Sequence, residues 1–443
     1  MLALVDADAF FCNCERLGHP AYANRPIVVL SHNDGVIVSA DRMAKDLGLK
    51  VGRPYFQVKD LCQRHQVVVC SSHLDLYQDI STRLMQLLAE EADIEVYSID
   101  EAFLHIPSWH PCTAPHLLSY GEHLTQFVMQ ELGIPVSIGM APTKVLAKVA
   151  SYAAKHPTIF KKFMPQNFST FFKDPLSGEI LFGQGPREVF ILPAHLKELT
   201  PHPLLAQIKI EHLWGIGHAS AVELRLQGIA TADQLRCSPG LGQLSLPLQQ
   251  IIFELRGEPV FTNEPPTAQK SFLHSRSFAP PLTTLPLVQD TLRSFINKLA
   301  GQLREQDSTC QKIKVFWVRG HTLAGNLTPF EERQAIAAEF KFLDPTSDTR
   351  KLIKAGEKLL ASLGPMTTVY RLGAELSMIY PNTVHGQNFL EEYDTPQSDQ
   401  LMQVVDQINA QQGAHAINFG HTKMKKAKDP TAAPTLPILA TTK

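Results

Sequence analysis

Two adjacent acids place the tightest constraint on this chain. Asp100-Glu101 interrupts an otherwise apolar stretch, with Val96-Tyr97-Ser98-Ile99 before it and Ala102-Phe103-Leu104 after it. Unpaired carboxylates are expensive to bury, so this segment must fold where its charges meet a counter-charge. A third acid, Asp6, closes the apolar run that begins at Leu2. If the two runs are neighbouring strands, three carboxylates converge, and divalent metal ions are the counter-charge that suits them best. Successive strand residues face opposite sides, so Asp100 and Glu101 can share a metal only at a strand bend or end. Judged by spacing alone, acids of a surface turn fit the same pattern. Asp8 alternates onto the side of Asp6 and reads as a supporting or solvent-facing acid rather than a ligand.

The 443 residues are enough for three or four domains, and 44% hydrophobic with 19% charged residues excludes fibrous and wholly disordered chains. No run approaches the roughly 20 apolar residues of a membrane span, and Asp6 precedes any signal-peptide core. A soluble, cytoplasmic protein with no membrane partner is expected. Seven cysteines between positions 12 and 310 match neither a disulfide framework nor a CxxC metal pattern and read as reduced thiols. The formal charge of −2 conceals an asymmetry: residues 1–110 carry 15 acids and 9 bases, residues 266–380 carry 10 and 15. One end suits cations and the other a polyanion, because local charge decides where phosphate binds.

Strands are expected at 2–5, 27–31, 36–39, 94–99, 102–106 and 135–140, with helices at 41–47, 75–92 and 115–132, which together make an α+β domain. Residues 156–212 contain Pro157, Pro165, Pro175, Pro186, Pro193, Pro201 and Pro203 and read as an irregular connector. Helical patterning returns over 219–256. Thr262-Asn263-Glu264-Pro265-Pro266-Thr267 has linker composition, and a further domain follows with strands near 271–278, 311–318, 335–342 and 367–379 and helices near 287–304 and 347–361. From His421 onward the Lys-, Pro-, Ala- and Thr-rich end is expected to be disordered.

Several segments together resemble the Y-family translesion DNA polymerases, and most closely their UmuC branch, the catalytic subunit of bacterial DNA polymerase V. They are Leu4-Val5-Asp6-Ala7-Asp8-Ala9-Phe10-Phe11, Val28 to Gly35, Tyr97-Ser98-Ile99-Asp100-Glu101-Ala102-Phe103, Val136 to Lys144, Trp214-Gly215-Ile216-Gly217, Glu254 to Pro259 and Ser275 to Phe278. The resemblance implies an α+β multidomain right hand. Its palm spans 1–10 and 72–160 and its small fingers 11–71. A connector and helical thumb with a helix-hairpin-helix turn span 161–262, a linker 263–270, a little finger 271–381 and a partly disordered UmuC-like tail 382–443.

By that resemblance Asp6, Asp100 and Glu101 are the catalytic carboxylates and hold two Mg²⁺ ions together with the main-chain carbonyl of Ala7. Phe10 and Phe11 contact the incoming nucleotide, and Phe11 takes the steric-gate position against a ribose 2′-hydroxyl, where UmuC-like proteins usually carry Tyr. Lys45 matches a triphosphate-contacting position. Arg42 stands where relatives have a small residue. Without the family, a solvated helix face accounts for both. Lys144, Lys148 and Lys155 lie 4 and 7 residues apart, one stripe on a continuous helix. Lys155 matches a triphosphate contact, Lys148 is expected to face DNA, and Lys144 is either DNA-facing or structural. Gly215, Ile216 and Gly217 would present backbone N–H groups to a DNA phosphate without reading sequence.

Two segments resemble sliding-clamp peptides. Gln243-Leu244-Ser245-Leu246-Pro247-Leu248 falls inside the thumb, where core burial competes; Gln387, Phe389 and Leu390 follow the little finger, where UmuC-like proteins carry such a peptide. The connector is longer than in typical relatives, and the usual Trp-containing end of the tail is replaced. The implied partners are primer-template DNA, deoxynucleoside triphosphate (dNTP), a processed UmuD-like dimer, the RecA filament and the sliding clamp. The expected function is error-prone, DNA-directed translesion synthesis in the SOS response. The alternatives are a catalytically inactive scaffold and a cyclase-like nucleotidyltransferase, the latter needing neither thumb nor basic C-terminal domain.

Overall fold

The computed structural model describes residues 1–31, 34–106, 113–156, 160, 168–171, 187–192, 202–239, 244–261, 268–320, 334–362, 368–382, 396–413 and 416–420. The chain divides between Glu264 and Pro265 into two compact units.

In chain order, the first unit contains β1 (Leu2–Ala7), α1 (Phe10–Leu17), β2 (Ile27–Leu30), β3 (Ile37–Ala40), α2 (Arg42–Asp46), α3 (Tyr55–Arg64), β4 (Val68–Ser71), α4 (Leu74–Glu91), β5 (Asp93–Val96), β6 (Glu101–His105) and α5 (Ala114–Leu132). It continues with β7 (Val136–Ala141), α6 (Lys144–Lys155), β8 (Phe168–Phe171), β9 (Arg187–Ile191), α7 (His218–Leu226), α8 (Ala232–Arg236) and α9 (Leu246–Leu255). The main sheet has the order β5-β6-β1-β7-β9-β8, and a smaller one the order β3-β2-β4.

β1 is apolar on both faces because helices cover both. Leu4 packs with Phe103 and the inner side of α6, whereas Ala3 and Val5 pack with α4 and α5. The close seat of α6 depends on Gly139 of β7. A β-carbon there would stand 2.1 Å from the Ser151 nitrogen and 2.4 Å from the Ala147 carbonyl oxygen, so only glycine admits the helix. Thr143 caps α6 by accepting from the Leu146 N–H.

The proline-rich stretch 156–212 is not wholly irregular. It supplies β8 and β9 to the main sheet, and β9 runs parallel to β7 with Val189 and Ile191 buried. Strands of 4 and 5 residues fit between the prolines without losing a ladder hydrogen bond to one of them. The helical pattern over 219–256 resolves into α7, α8 and α9, the first break being at Gly228, whose φ is +82°.

The second unit contains β10 (Ser271–Leu282), α10 (Leu285–Glu305), β11 (Ser308–Gly320), β12 (Gln334–Thr346), α11 (Thr349–Ser362), β13 (Thr368–Pro381) and α12 (Pro396–Gln412). Its sheet has the order β10-β13-β11-β12 and is antiparallel throughout. Ile313, Val315 and Trp317 point inward onto α10 and α11. Helix α12 lies within the stretch read as tail and is joined to α10 by a two-pronged Arg304–Asp406 contact of 2.6 and 2.7 Å. Among the described residues, no helix is long and apolar enough to cross a membrane.

Candidate active site

Strand parity assembles the site. Asp6 shares the α6 face of β1 with Leu4, and the antiparallel register sets Asp6 directly opposite Glu101 on β6. β6 begins at Glu101, so Asp100 lies in the bend before it, which is the position that adjacent acids need if both are to face one cleft. Ser98 shapes that bend: its hydroxyl donates to Asp100 at 2.6 Å and accepts from the Asp100 N–H at 3.3 Å. The Ala7 N–H donates to the Asp100 carbonyl at 2.9 Å, tying the bend to β1.

α6 brings three ammonium groups to these acids. Lys155 lies 2.5 Å from Asp6 and 3.9 Å from Asp8, and Lys148 lies 2.6 Å from Glu101. Lys144 is only 6% exposed and sits 2.7 Å from Glu95 and 5.8 Å over the Phe103 ring. Its inward seat favours the structural alternative over DNA contact. Asp8 accepts from the Ser137 hydroxyl at 2.8 Å, a supporting place beside Lys155.

Burial pushes the Asp6 carboxyl up to about 7; Lys155 pulls it back, but the neighbouring charge of Glu101 adds to the rise. Burial acts upward on Glu101 too, yet its contacts with Lys148 and Asp6 hold it below the ordinary glutamate value. Burial alone would lower Lys155, and Asp6 and Asp8 more than reverse this. Among the described residues, no three His, Cys, Asp or Glu side chains form a ready metal-ligand cluster. The donor set nevertheless fits hard divalent cations, because it is all oxygen: the Asp6, Asp100 and Glu101 carboxylates and the Ala7 carbonyl.

Phe11 is half-buried and lies flat on Tyr77, with ring centroids 4.4 Å apart and planes 14° apart. Phe10 is 3% exposed and belongs to the core, so of the two rings it is Phe11 that keeps exposed surface. Beneath the pair, buried Glu15 accepts from the Tyr77 hydroxyl at 2.6 Å and lies 2.8 Å from His73. Arg42 and Lys45 are both exposed on α2, which Asp41 caps. Gly215 has φ +84°, which glycine tolerates, and Ile216 is a buried anchor of the turn ahead of α7. Gln387, Phe389 and Leu390 lie outside the described residues. In the other clamp-like segment, 243–248, Leu248 is buried and Leu244 packs on the core, whereas Leu246 is exposed.

Sequence reasoning missed Tyr77, Ser98, Tyr97, Trp214 as a side chain, and Glu254. Trp214 donates its indole N–H to the Tyr97 hydroxyl at 2.7 Å. Glu254 is fully buried; its carboxylate accepts from the Val145, Val260 and Phe261 N–H groups, and its carbonyl accepts from Thr143. One acid thus joins α9 to the start of α6. A carboxylate inside the apolar run Ile251-Ile252-Phe253-Glu254-Leu255 was the available signal.

A model of the impB/mucB/samB family matches residues 5–152, and a model of that family's C-terminal domain matches residues 269–389. Protein UmuC of Salmonella typhimurium is 31% identical over 434 residues, 96% of this chain and 94% of the relative. Protein SamB of Salmonella typhimurium is 32% identical over 419 residues, 92% of this chain and 90% of the relative. Among solved structures, a Y-family DNA polymerase chimera, Dbh-Dpo4(243-245)-Dbh, matches with a TM-score of 0.62 at 21% identity over 86% of this chain and 99% of that one, a likeness of fold. The two family models and the relatives agree: the chain belongs to the impB/mucB/samB family, with Protein UmuC and Protein SamB among its relatives.

Proposed function

We infer that this chain is an error-prone, DNA-directed DNA polymerase that carries out translesion synthesis in the SOS response by two-metal nucleotidyl transfer. The observation that carries this reading is the facing of Asp6 and Glu101 across β1 and β6, with Asp100 in the adjoining bend. Asp6, Asp100 and Glu101, with the Ala7 carbonyl, would hold Mg²⁺, which when bound supplies activation of a primer 3′-hydroxyl and neutralises charge on the departing pyrophosphate.

The chain's own residues do the positioning. Lys155 offers an ammonium to the triphosphate beside Asp6. Phe11, backed by Tyr77, presents a ring against the sugar and excludes a 2′-hydroxyl, and exposed Lys45 and Arg42 add positive charge on the fingers helix. The turn ahead of α7 would offer the Gly215 and Gly217 N–H groups to the duplex; the Ile216 N–H, expected to join them, instead donates to the Leu213 carbonyl at 3.1 Å. Residues 1–10 and 72–160 act as palm, 11–71 as fingers, 161–262 as connector and thumb, and 271–381 as little finger. The basic little finger grips the duplex backbone, so binding weakens steeply with salt. A processed UmuD-like dimer, the RecA filament and the sliding clamp complete the proposed set of partners.

Primer extension across an abasic template tests the reading, with Asp100→Ala/Glu101→Ala as control. The wild type should extend only with divalent metal and the double variant not at all. A scaffold gives no metal-dependent extension in either form, and a cyclase-like enzyme turns over nucleotide without primer.

A further inference from the structure

Lys148 is held from two sides. Its ammonium lies 2.6 Å from a Glu101 oxygen and also 4.2 Å over the Tyr97 ring and 6.0 Å from the Trp214 ring centre. The two rings meet edge to face at 5.5 Å and are locked by the indole N–H donated to the Tyr97 hydroxyl. Phe261 and Phe103 brace Trp214 and Tyr97 from behind, at 5.4 and 5.9 Å. The Tyr97 N–H donates to the Glu101 carbonyl at 3.0 Å, so the aromatic corner and the carboxylate belong to one turn of chain. Trp214 immediately precedes Gly215, where a β-carbon would stand 2.9 Å from Ile251 of α9, so the corner is also seated on the thumb.

A carboxylate oxygen that coordinates a divalent cation holds an ammonium at 2.6 Å less strongly, because the two cations repel and compete for its electron density. An aromatic face accepts an ammonium by cation–π attraction and is already in contact with this one. We propose that Lys148 is a displaceable counter-ion of Glu101, and that Tyr97 and Trp214 form the seat that receives its ammonium when a divalent cation takes the carboxylate. Lys148 is then a positioning residue. It keeps Glu101 ionised and aimed in the metal-free protein, and its retreat carries the state of the carboxylate to the thumb turn at Trp214. The inference rests on the reading of Glu101 as a metal ligand.

The test titrates Ca²⁺ into the full chain and follows binding heat and tryptophan emission together, with no nucleotide or primer present. The wild type should bind, and its emission should shift with the same midpoint. Trp214→Phe should keep the heat and lose the shift. Lys148→Met should lose the shift and bind Ca²⁺ roughly tenfold more tightly, since the competing cation is gone. Lys148→Arg, a milder change, should keep wild-type-like binding with a reduced shift. Heat without an emission shift in the wild type, or weaker binding by Lys148→Met while Lys148→Arg stays normal, overturns the inference and leaves the polymerase reading standing. No binding heat in the wild type overturns the inference and the metal-ligand reading together.

Discussion

In the first unit, the sheet that begins at Leu2 ends its middle strands in carboxylates that pair with lysines of the helix across from them; in the second, the sheet that begins at Ser271 keeps an apolar inner face and sets the Lys312–Glu339 pair on its other face. The side chains of Lys312–Glu339 are 30% and 58% exposed, whereas those of Lys148–Glu101 are 15% and 17% exposed. Exposed pairs contribute little to stability, while shielded charges are tolerated only where every member is matched. The contrast teaches that the first sheet is arranged around a charge-handling site, and that apolar packing suffices for the second.

The sharpest way to break this comparison is to neutralise an acid at the strand end. Asp6→Asn should lower the primer-extension rate by more than about a thousandfold without lowering the melting temperature, because it removes a charge whose burial is unfavourable, together with its repulsion from Glu101, which offsets the lost Lys155 contact. Retained activity with a lower melting temperature would make the acid structural. A smaller effect is expected at the gate. Phe11→Ala should reduce discrimination against ribonucleotides by about a hundredfold in single-nucleotide insertion assays, whereas Phe316→Ala in the second unit should leave it unchanged.

Stability separates the regions next. Glu254→Ala leaves three backbone N–H groups without their acceptor and should destabilise the protein by about 3 kcal/mol in denaturant unfolding. Lys312→Ala should produce no measurable change. The smallest effect is on pH dependence. The Asp6 carboxyl is raised in the folded protein, so its protonated form contributes stability that is present below the unfolded value of 3.8 and is lost as pH rises to about 7. Between about pH 5 and 7, in chelator, the wild type should therefore lose stability relative to Asp6→Asn. Parallel melting curves would contradict that assignment.

Much of the fold was legible because its signals are local and periodic. The strand at Leu2–Ala7, the strand opening at Glu101 and the helices at Leu74–Glu91 and Leu285–Glu305 follow apolar runs or helical spacing that packing on both faces enforces. α1 was not legible, because Phe10-Phe11-Cys12-Asn13-Cys14-Glu15 puts charge and aromatics where the later partners Tyr77 and His73 lie about sixty positions away. β9 was hidden among prolines, since a strand of 5 residues gives almost no period. Of the site, the acids and the lysine stripe could be read from spacing and motif, whereas the supports could not. Tyr77, Trp214 and Glu254 act through tertiary contacts that no short window contains, and Ser98, though only two residues from Asp100, carries no charge or apolar period that marks it.

The central claim is that Asp6, Asp100 and Glu101 serve one metal centre. Anomalous scattering from crystals of the full chain grown with Mn²⁺, primer-template DNA and a non-hydrolysable dNTP tests it most directly. The account predicts two manganese peaks bounded by these three carboxylates; peaks elsewhere, or none beside Asp6 and Glu101, would contradict it.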